Sequence, residues 1–340
     1  MSMVYQEMDG NLDVLKGQRV GIVGYGNLGR PMALNLRDSG VDVILSENDP
    51  QRQAIAMREG FELSETSALV QQVSILMLLL PDEKMPQVFL EKVSPYLARN
   101  HTLIFGSSYN IAFGFIEAPS FVDVGLIAPR TMGVAVRQRY LEEQGFFSFV
   151  AVGQDASGNA WQTVLALAKA VGSLRPGAGG IEIAFEREVE LDLFVQQALM
   201  PMLYHVLVTA SQVLMEAGYP PEVAFTDLYL SGELEDYLNR VAKEGLFPTM
   251  RLSSLTGQYG TFSRLERFSD LKLHRLMEVT LENIRSGQFA QEWAREYGDG
   301  YHRLRKLLKS HSQRELWEME QQALDMLHPD RDYDDSAFEV

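Results

Sequence analysis

An α/β fold, a Rossmann-type doubly wound parallel sheet followed by an all-helical domain, is what this sequence predicts. Three observations carry the prediction. A short apolar strand runs directly into a glycine turn, GYGNLG, at residues 24–29. Strand-like apolar runs then alternate with helix-period segments to about residue 172, the pattern of a parallel sheet with helices on both faces. After residue 182 the strand signal fades and helical periodicity takes over.

The first element is RVGIVGYGNLG at 19–29, followed by the helical RPMALNLRDSG and the strand VDVILSE at 41–47. Strand, glycine turn, helix and strand within about 30 residues is the arrangement that binds a dinucleotide. The glycines let the backbone approach a pyrophosphate, and the helix start offers N–H groups and a positive dipole end. Gly24, Tyr25, Gly26, Asn27, Leu28 and Gly29 are therefore expected to hold the cofactor. Glu47 closes the second strand, 18 residues after Gly29. A carboxylate there accepts from ribose hydroxyls and repels a 2′-phosphate, which favours NADH over NADPH. Arg52 nearby is a competing phosphate partner.

Further strands are expected at 74–81, 101–108, 123–130 and 146–155, with helices at 86–98 and 158–172. Ligands of such sheets sit beyond the carboxyl ends of strands. Three such ends carry chemistry: Leu80-Pro81-Asp82, Gly106-Ser107-Ser108-Tyr109-Asn110, and Ala128-Pro129-Arg130. Leu80, Pro81 and Asp82 are placed with the cofactor. The glycine-rich stretch 174–185 marks the boundary, giving a dinucleotide domain over 1–182 and a helical domain over 183–327. Helical patterns cover 186–217, 221–244, 263–286 and 288–326, and the acidic tail 328–340 reads as disordered.

The net charge of −16 provides no basic footprint for nucleic acid. No unbroken apolar run approaches the roughly 18 residues of a membrane span, and no secretory signal is visible, so a cytoplasmic protein is expected. Without cysteines there is no disulfide, thiolate site or cysteine nucleophile. The six histidines show no ligand spacing. On EREVELDLFVQQ, Glu188, Asp192 and Gln196 fall at i, i+4 and i+8 on one helix face.

The segments LKGQRVGIVGYGNLGRPMALNLRDSGVDV, LLLPDE, FGSSYNIAFG, APRTMGVAVRQRY, FEREVELDLFVQQ, LMEAGYPPEVAF and MRLSS occur in the order seen in short-form ketol-acid reductoisomerases. The chain resembles that family over roughly residues 5–325. The resemblance implies a Rossmann domain and an interlocked helical domain that forms a homodimer. It also implies a nicotinamide cofactor, two magnesium ions, and alkyl migration followed by ketone reduction. Carried over residue by residue, it implies several departures. Ser107 stands where the family has a histidine, and Arg130 where it has a lysine. Asp192 keeps a magnesium-ligand position, Gln196 replaces the next one, and Glu188 is retained. Asp227 and Ser231 take the two positions supplied by the partner's helix, and Ser254 the serine that meets the substrate.

Gln196 and Ser231 lack the charge that two close magnesium ions require, and Arg130 is a permanent cation. The expectation is therefore that no magnesium binds and isomerisation is lost, leaving a metal-independent reductase of a C=N group or a related carbonyl. In that reading Glu188 and Asp192 favour a cationic imine, with Asp192, Ser107 and Tyr109 as stabilising or proton-donating groups. Arg130 pairs with an acid of the protein or of the substrate. Gln196, Asp227, Ser231 and Ser254 line the substrate. The alternatives are a magnesium-dependent ketol-acid reductoisomerase with an altered site, and a nucleotide-binding protein without turnover.

Overall fold

The computed structural model describes residues 2–265, 267–268 and 272–329. Most of the tail expected to be disordered, from 330 onward, lies outside the described residues. The chain divides into two compact units that meet between Asp192 and Leu193.

The first unit holds nine strands: β1 (Val4–Tyr5), β2 (Arg19–Val23), β3 (Asp42–Ser46), β4 (Glu62–Leu63), β5 (Ile75–Leu78), β6 (Thr102–Phe105), β7 (Asp123–Pro129), β8 (Ser148–Gln154) and β9 (Gly180–Glu182). They form one sheet in the order β1-β9-β8-β7-β6-β5-β2-β3-β4. The helices between them are α1 (Gly29–Asp38), α2 (Pro50–Arg58), α3 (Thr66–Val70), α4 (Met85–Val88), α5 (Tyr109–Ala112), α6 (Gly133–Leu141) and α7 (Ala160–Val171). The last helix to start in this unit is α8 (Phe185–Phe194).

Alternation along the strands builds the double winding. Ile75 and Met77 of β5 join one core with Met32 and Leu36 of α1, Val136 of α6 and Leu167 of α7. Leu76 and Leu78 enter the opposite core with Leu69 and Val70 of α3 and Met85 of α4. The sheet is not parallel throughout: β8 runs antiparallel to β7, and β1 antiparallel to β9. Strand direction is illegible in the sequence because the alternation of side chains along a strand is the same whichever way it runs. β3 and β5 flank β2 on opposite sides, so the chain reverses its direction of travel across the sheet there. That reversal opens a crevice at the ends of β2 and β5, where ligands bind in such sheets.

The second unit is helical. It contains Met200–Glu216, Glu233–Glu244, Leu273–Arg285, Gln288–Gly298, His302–Ser312 and Glu315–Leu327, with shorter turns between. The pattern read as 288–326 is therefore three helices, broken by Tyr301 in the left-handed region (φ 62°) and by a turn before Glu315. Val208, Phe225, Leu316 and Ala323 form its buried core. The helix Phe185–Glu216, with a wide turn at Val195–Leu199, carries an 18-residue window of mean hydropathy 1.4. By length and composition it is apolar enough to cross a membrane, which a search for unbroken apolar runs overlooked.

Asn35 shows how the first unit is tied together. Its buried amide donates to the carbonyls of Val136 (3.3 Å) and Val171 (2.9 Å) and accepts from Arg137 (2.8 Å). It thus satisfies one of the last carbonyls of α7, which have no partner within their own helix. Asn35→Leu is expected to destabilise the protein by about 1–3 kcal/mol, because buried carbonyls lose their donor. An unchanged melting temperature would show that the amide is not needed there.

Candidate functional site

The glycine turn is built by close approaches that exclude side chains. Gly24 has φ +101°, and a Cβ on it would lie 2.6 Å from the Leu79 carbonyl oxygen. A Cβ on Gly29 would lie 2.0 Å from the Gly24 oxygen, so α1 packs directly on the turn. Gly26 differs: a Cβ there would meet nothing closer than Arg52 Nη1 at 3.6 Å. The open face of the turn is thus at Gly26, while Asn27 and Leu28 carry the chain into α1. Tyr25 is buried, and its hydroxyl donates to Glu59 at 2.5 Å. Glu59 also holds Arg30 of α1. At the end of β3, Glu47 accepts from the backbone N–H groups of Tyr25 (2.7 Å), Asn48 (2.7 Å) and Asp49 (2.9 Å). This fixes a negative charge at the ribose end of the crevice. The Arg52 guanidinium stands beside the open face of the turn, near Gly26.

Beyond β5, β6 and β7 lies a cluster of charged and hydroxyl groups. Arg130, just past β7, stacks on Phe149 with its Cζ 4.9 Å from the ring centroid. Its Nη2 donates to Glu188 Oε1 at 3.0 Å, its Nη1 to Asp192 Oδ1 at 3.1 Å, and its Nε to the Ala128 carbonyl at 3.3 Å. Glu188 and Asp192 lie one turn apart on α8, so one planar guanidinium spans both. Three of its five N–H groups are used, leaving two, and the side chain is 26% exposed.

Glu188 is almost wholly buried. Its Oε2 accepts from the Ser108 N–H at 3.0 Å and lies 2.5 Å from Ser108 Oγ. Ser108 escaped the sequence reading, which singled out its neighbours. No signal distinguished it, since its value depends on a helix 80 residues away. Burial pushes the Glu188 carboxyl above its usual range, against the opposing effects of Ser108 and Arg130. Asp82 feels burial first and then the charges of Glu83, Asp192 and Glu188, which together raise it to about 7. Its carbonyl accepts from Asn110 Nδ2 at 3.1 Å. The Tyr109 hydroxyl is buried without a partner, and the ring lies against Phe113 and Phe115. Burial and the Asp82 charge raise its pKa. Ser107 Oγ accepts from the Tyr109 N–H at 3.3 Å. Leu80 and Pro81 lead from β5 to Asp82.

The remaining expected substrate residues belong to the second unit. Gln196 lies in the wide turn Val195–Leu199. Asp227 is exposed, Ser231 Oγ accepts from Glu233 N–H at 3.3 Å, and Ser254 caps the helix Leu255–Phe262 by accepting from Gly257 N–H at 3.1 Å. His101, the one buried histidine among the described residues, is structural. Its Nδ1 accepts from Ala98 N–H, and Nε2 faces the carbonyls of Val70 and Val73.

Magnesium needs several charged oxygens free to bind it. Both oxygens of Glu188 and one of Asp192 are already engaged by groups of the chain itself. No cluster of three or more histidine, aspartate or glutamate side chains is set to hold a metal among the described residues.

A glycine turn on a Rossmann sheet, with acidic, hydroxyl and guanidinium groups along the neighbouring strand ends, defines a dinucleotide-dependent oxidoreductase. Residues 14–177 match the family described as acetohydroxy acid isomeroreductase, NADPH-binding domain, and residues 185–328 match the ketol-acid reductoisomerase C-terminal domain. The chain belongs to the ketol-acid reductoisomerase family. It is 39% identical to a ketol-acid reductoisomerase (NADP(+)) of Sulfolobus acidocaldarius, over 91% of this chain and 92% of that one. It is 35% identical to a putative ketol-acid reductoisomerase 3 of Saccharolobus solfataricus, over 86% and 89%. An NADH-preferring ketol-acid reductoisomerase from an uncultured archaeon superposes with a TM-score of 0.88 at 28% identity, covering 94% of this chain and 98% of that one.

These likenesses overturn the expectation of an imine reductase, and with it that of a non-catalytic paralogue. The named relatives are ketol-acid reductoisomerases along nearly their whole length. The structure supplies a physical reason. The imine argument needed Glu188 and Asp192 to face a cationic substrate, but both are already paired with Arg130. An iminium would have to displace a guanidinium.

Asp82 gives a pH test. Its folded pKa of about 7 exceeds the unfolded value of 3.8, so its contribution to stability is greatest below pH 3.8 and is lost as pH rises through 7. Asp82→Asn removes that loss. In urea unfolding the variant should gain on wild type between pH 4 and pH 8, by up to about 4 kcal/mol. A gap that does not change with pH would rule out the raised carboxyl.

Proposed function

We propose that this chain is an NAD(P)H-dependent enzyme of ketol-acid chemistry, whose own residues carry the reduction of a 2-keto acid. The observation behind this is the Arg130 fork: a guanidinium fixed by two carboxylates, with two N–H groups left to bind. These suit the carboxylate of a keto acid and the oxygen of the reacting carbonyl, where negative charge develops. Bound reduced nicotinamide supplies the hydride that goes to the keto carbon. The carbonyl electron pair moves to oxygen, and the proton it takes comes from Asp82, with Tyr109 and Ser107 shaping the pocket at the next strand end. The fixed charge of Glu47 supports NADH ahead of NADPH, as in the NADH-preferring relative.

The test is oxidation of NADH and NADPH with acetolactate, and separately with the 3-hydroxy-2-keto acid that its alkyl migration yields, in magnesium and in EDTA. We expect turnover of both substrates, as the named relatives would give, fastest with NADH, and a loss of about 10²–10³ in kcat for Arg130→Met. Turnover of the isomerised keto acid alone would confine the activity to the reduction. No turnover of either substrate with either cofactor overturns the reading.

The helical unit supports a homodimer. Leu199, Leu203, Val206 and Val213 of one long helix are 40–57% exposed, and only 17% of the most apolar window of that helix is buried. Apolar area of this kind is rarely left to water. Sedimentation equilibrium should give twice 38.3 kDa, and a particle of 38.3 kDa would refute the dimer.

A further inference from the structure

The hydrogens around Ser108 do not close if Glu188 is ionised. Ser108 Oγ lies 2.7 Å from the Phe185 carbonyl oxygen and 2.5 Å from Glu188 Oε2. Both are hydrogen-bond distances, yet a hydroxyl has one hydrogen. The carbonyl can only accept, so the Ser108 hydrogen belongs to it. The 2.5 Å contact then needs a hydrogen from the other side. With an ionised Glu188, a single hydrogen must be shared between two acceptors in a three-centre bond or leave one contact lone pair against lone pair, in a site with no water access, because Ser108 is fully buried and Glu188 1% exposed.

We infer that Glu188 is held as a neutral carboxylic acid, its hydrogen resting on Ser108 Oγ, so that Asp192 alone balances Arg130. In this arrangement every hydrogen has one acceptor. The acid O–H donates to Ser108 Oγ while its oxygen, Oε2, accepts the Ser108 N–H at 3.0 Å, Ser108 Oγ donates to the Phe185 carbonyl, and the acid's other oxygen, Oε1, accepts from Arg130 Nη2. The charges agree. Glu188 is faced by Arg130 from the end of β7, by Asp192 from its own helix and by Asp82 from the end of β5. Glu188 and Asp192 share one guanidinium, their mutual repulsion opposes ionising both, and the more buried of the two is Glu188. Its raised pKa has burial as the leading cause, in the direction this assignment requires. The inference deepens the reduction proposed above and, for its purpose, rests on it. A neutral Glu188 leaves Arg130 its positive field toward the substrate, and Ser108 is the positioning residue that sets it there.

The test reads the proton directly and needs no turnover. Glu188→Gln replaces a neutral acid with a neutral amide of the same shape. The amide oxygen still accepts from Arg130 and its N–H donates to Ser108 Oγ, but the amide nitrogen cannot accept the Ser108 N–H that Glu188 Oε2 accepts at 3.0 Å, so a constant loss common to every pH is expected. The proton is read from the change with pH: the variant's melting temperature relative to wild type should rise progressively from pH 4 toward pH 8.5. A folded pKa above the unfolded one means stability is lost as pH rises, and the amide lacks that loss. Infrared difference spectra of wild type against Glu188→Gln should show a protonated carboxyl C=O band at pH 7. Ser108→Ala should shift that band, and Ser108→Thr should restore it. A melting-temperature difference between Glu188→Gln and wild type that does not change with pH, or a carboxylate band in its place, overturns the assignment. Failure of the keto-acid assay with these signatures intact would count against the function and not against the proton.

Discussion

A single guanidinium holds the candidate site in register. Arg130 leaves the end of β7, stacks on Phe149 and reaches two carboxyl groups one turn apart on α8. Glu188 is 1% exposed and relies on that partner, whereas Asp192 at 36% exposure is also partly solvated. Ser108 closes the far side by joining the loop after β6 to the first turn of α8. Strand end, loop and helix are thus fastened at one point, and the groups along the rim take their positions from it.

The cofactor turn obeys a different constraint, which is steric. Gly24 and Gly29 are fixed by backbone contacts that leave no room for a Cβ, whereas Gly26 faces open space. Tyr25 anchors the turn from below through Glu59, and Glu47 gathers the amides of the strand end. One end of the crevice therefore carries fixed negative charge and the rim beyond β7 carries a cation.

Local features were the legible ones. The glycine turn, the strands and the two-part organisation follow from spacing and periodicity within some 30 residues. The paired carboxyls on α8 were visible as an i, i+4 repeat, and Arg130 was visible at a strand end. Their pairing was open in the sequence, because 58 and 62 residues separate Arg130 from Glu188 and Asp192 and only the sheet brings them together. Ser108 was invisible for the same reason. The antiparallel β8 was hidden because the side-chain alternation of a strand does not record its direction. The overall apolarity of Phe185–Glu216 was hidden by charges spaced along it, which break the run without lowering its average.

The misread chemistry is instructive because its premises were correct. Gln196 and Ser231 do lack charge, and Arg130 is a cation beside acids. The conclusion failed on counting charges one residue at a time. Two free carboxylates would draw a cationic substrate, but two carboxyl groups clamped on a guanidinium do not. Once Arg130 is assigned to them, the net field at the rim follows from the protons as well as from the residues. If both carboxyls ionise, the trio is negative and repels a keto acid. If Glu188 keeps its hydrogen, the trio is neutral and the outward N–H groups of Arg130 attract the substrate's carboxylate. Substrate class at this site is therefore set by where one hydrogen sits, behind the side chain that meets the substrate.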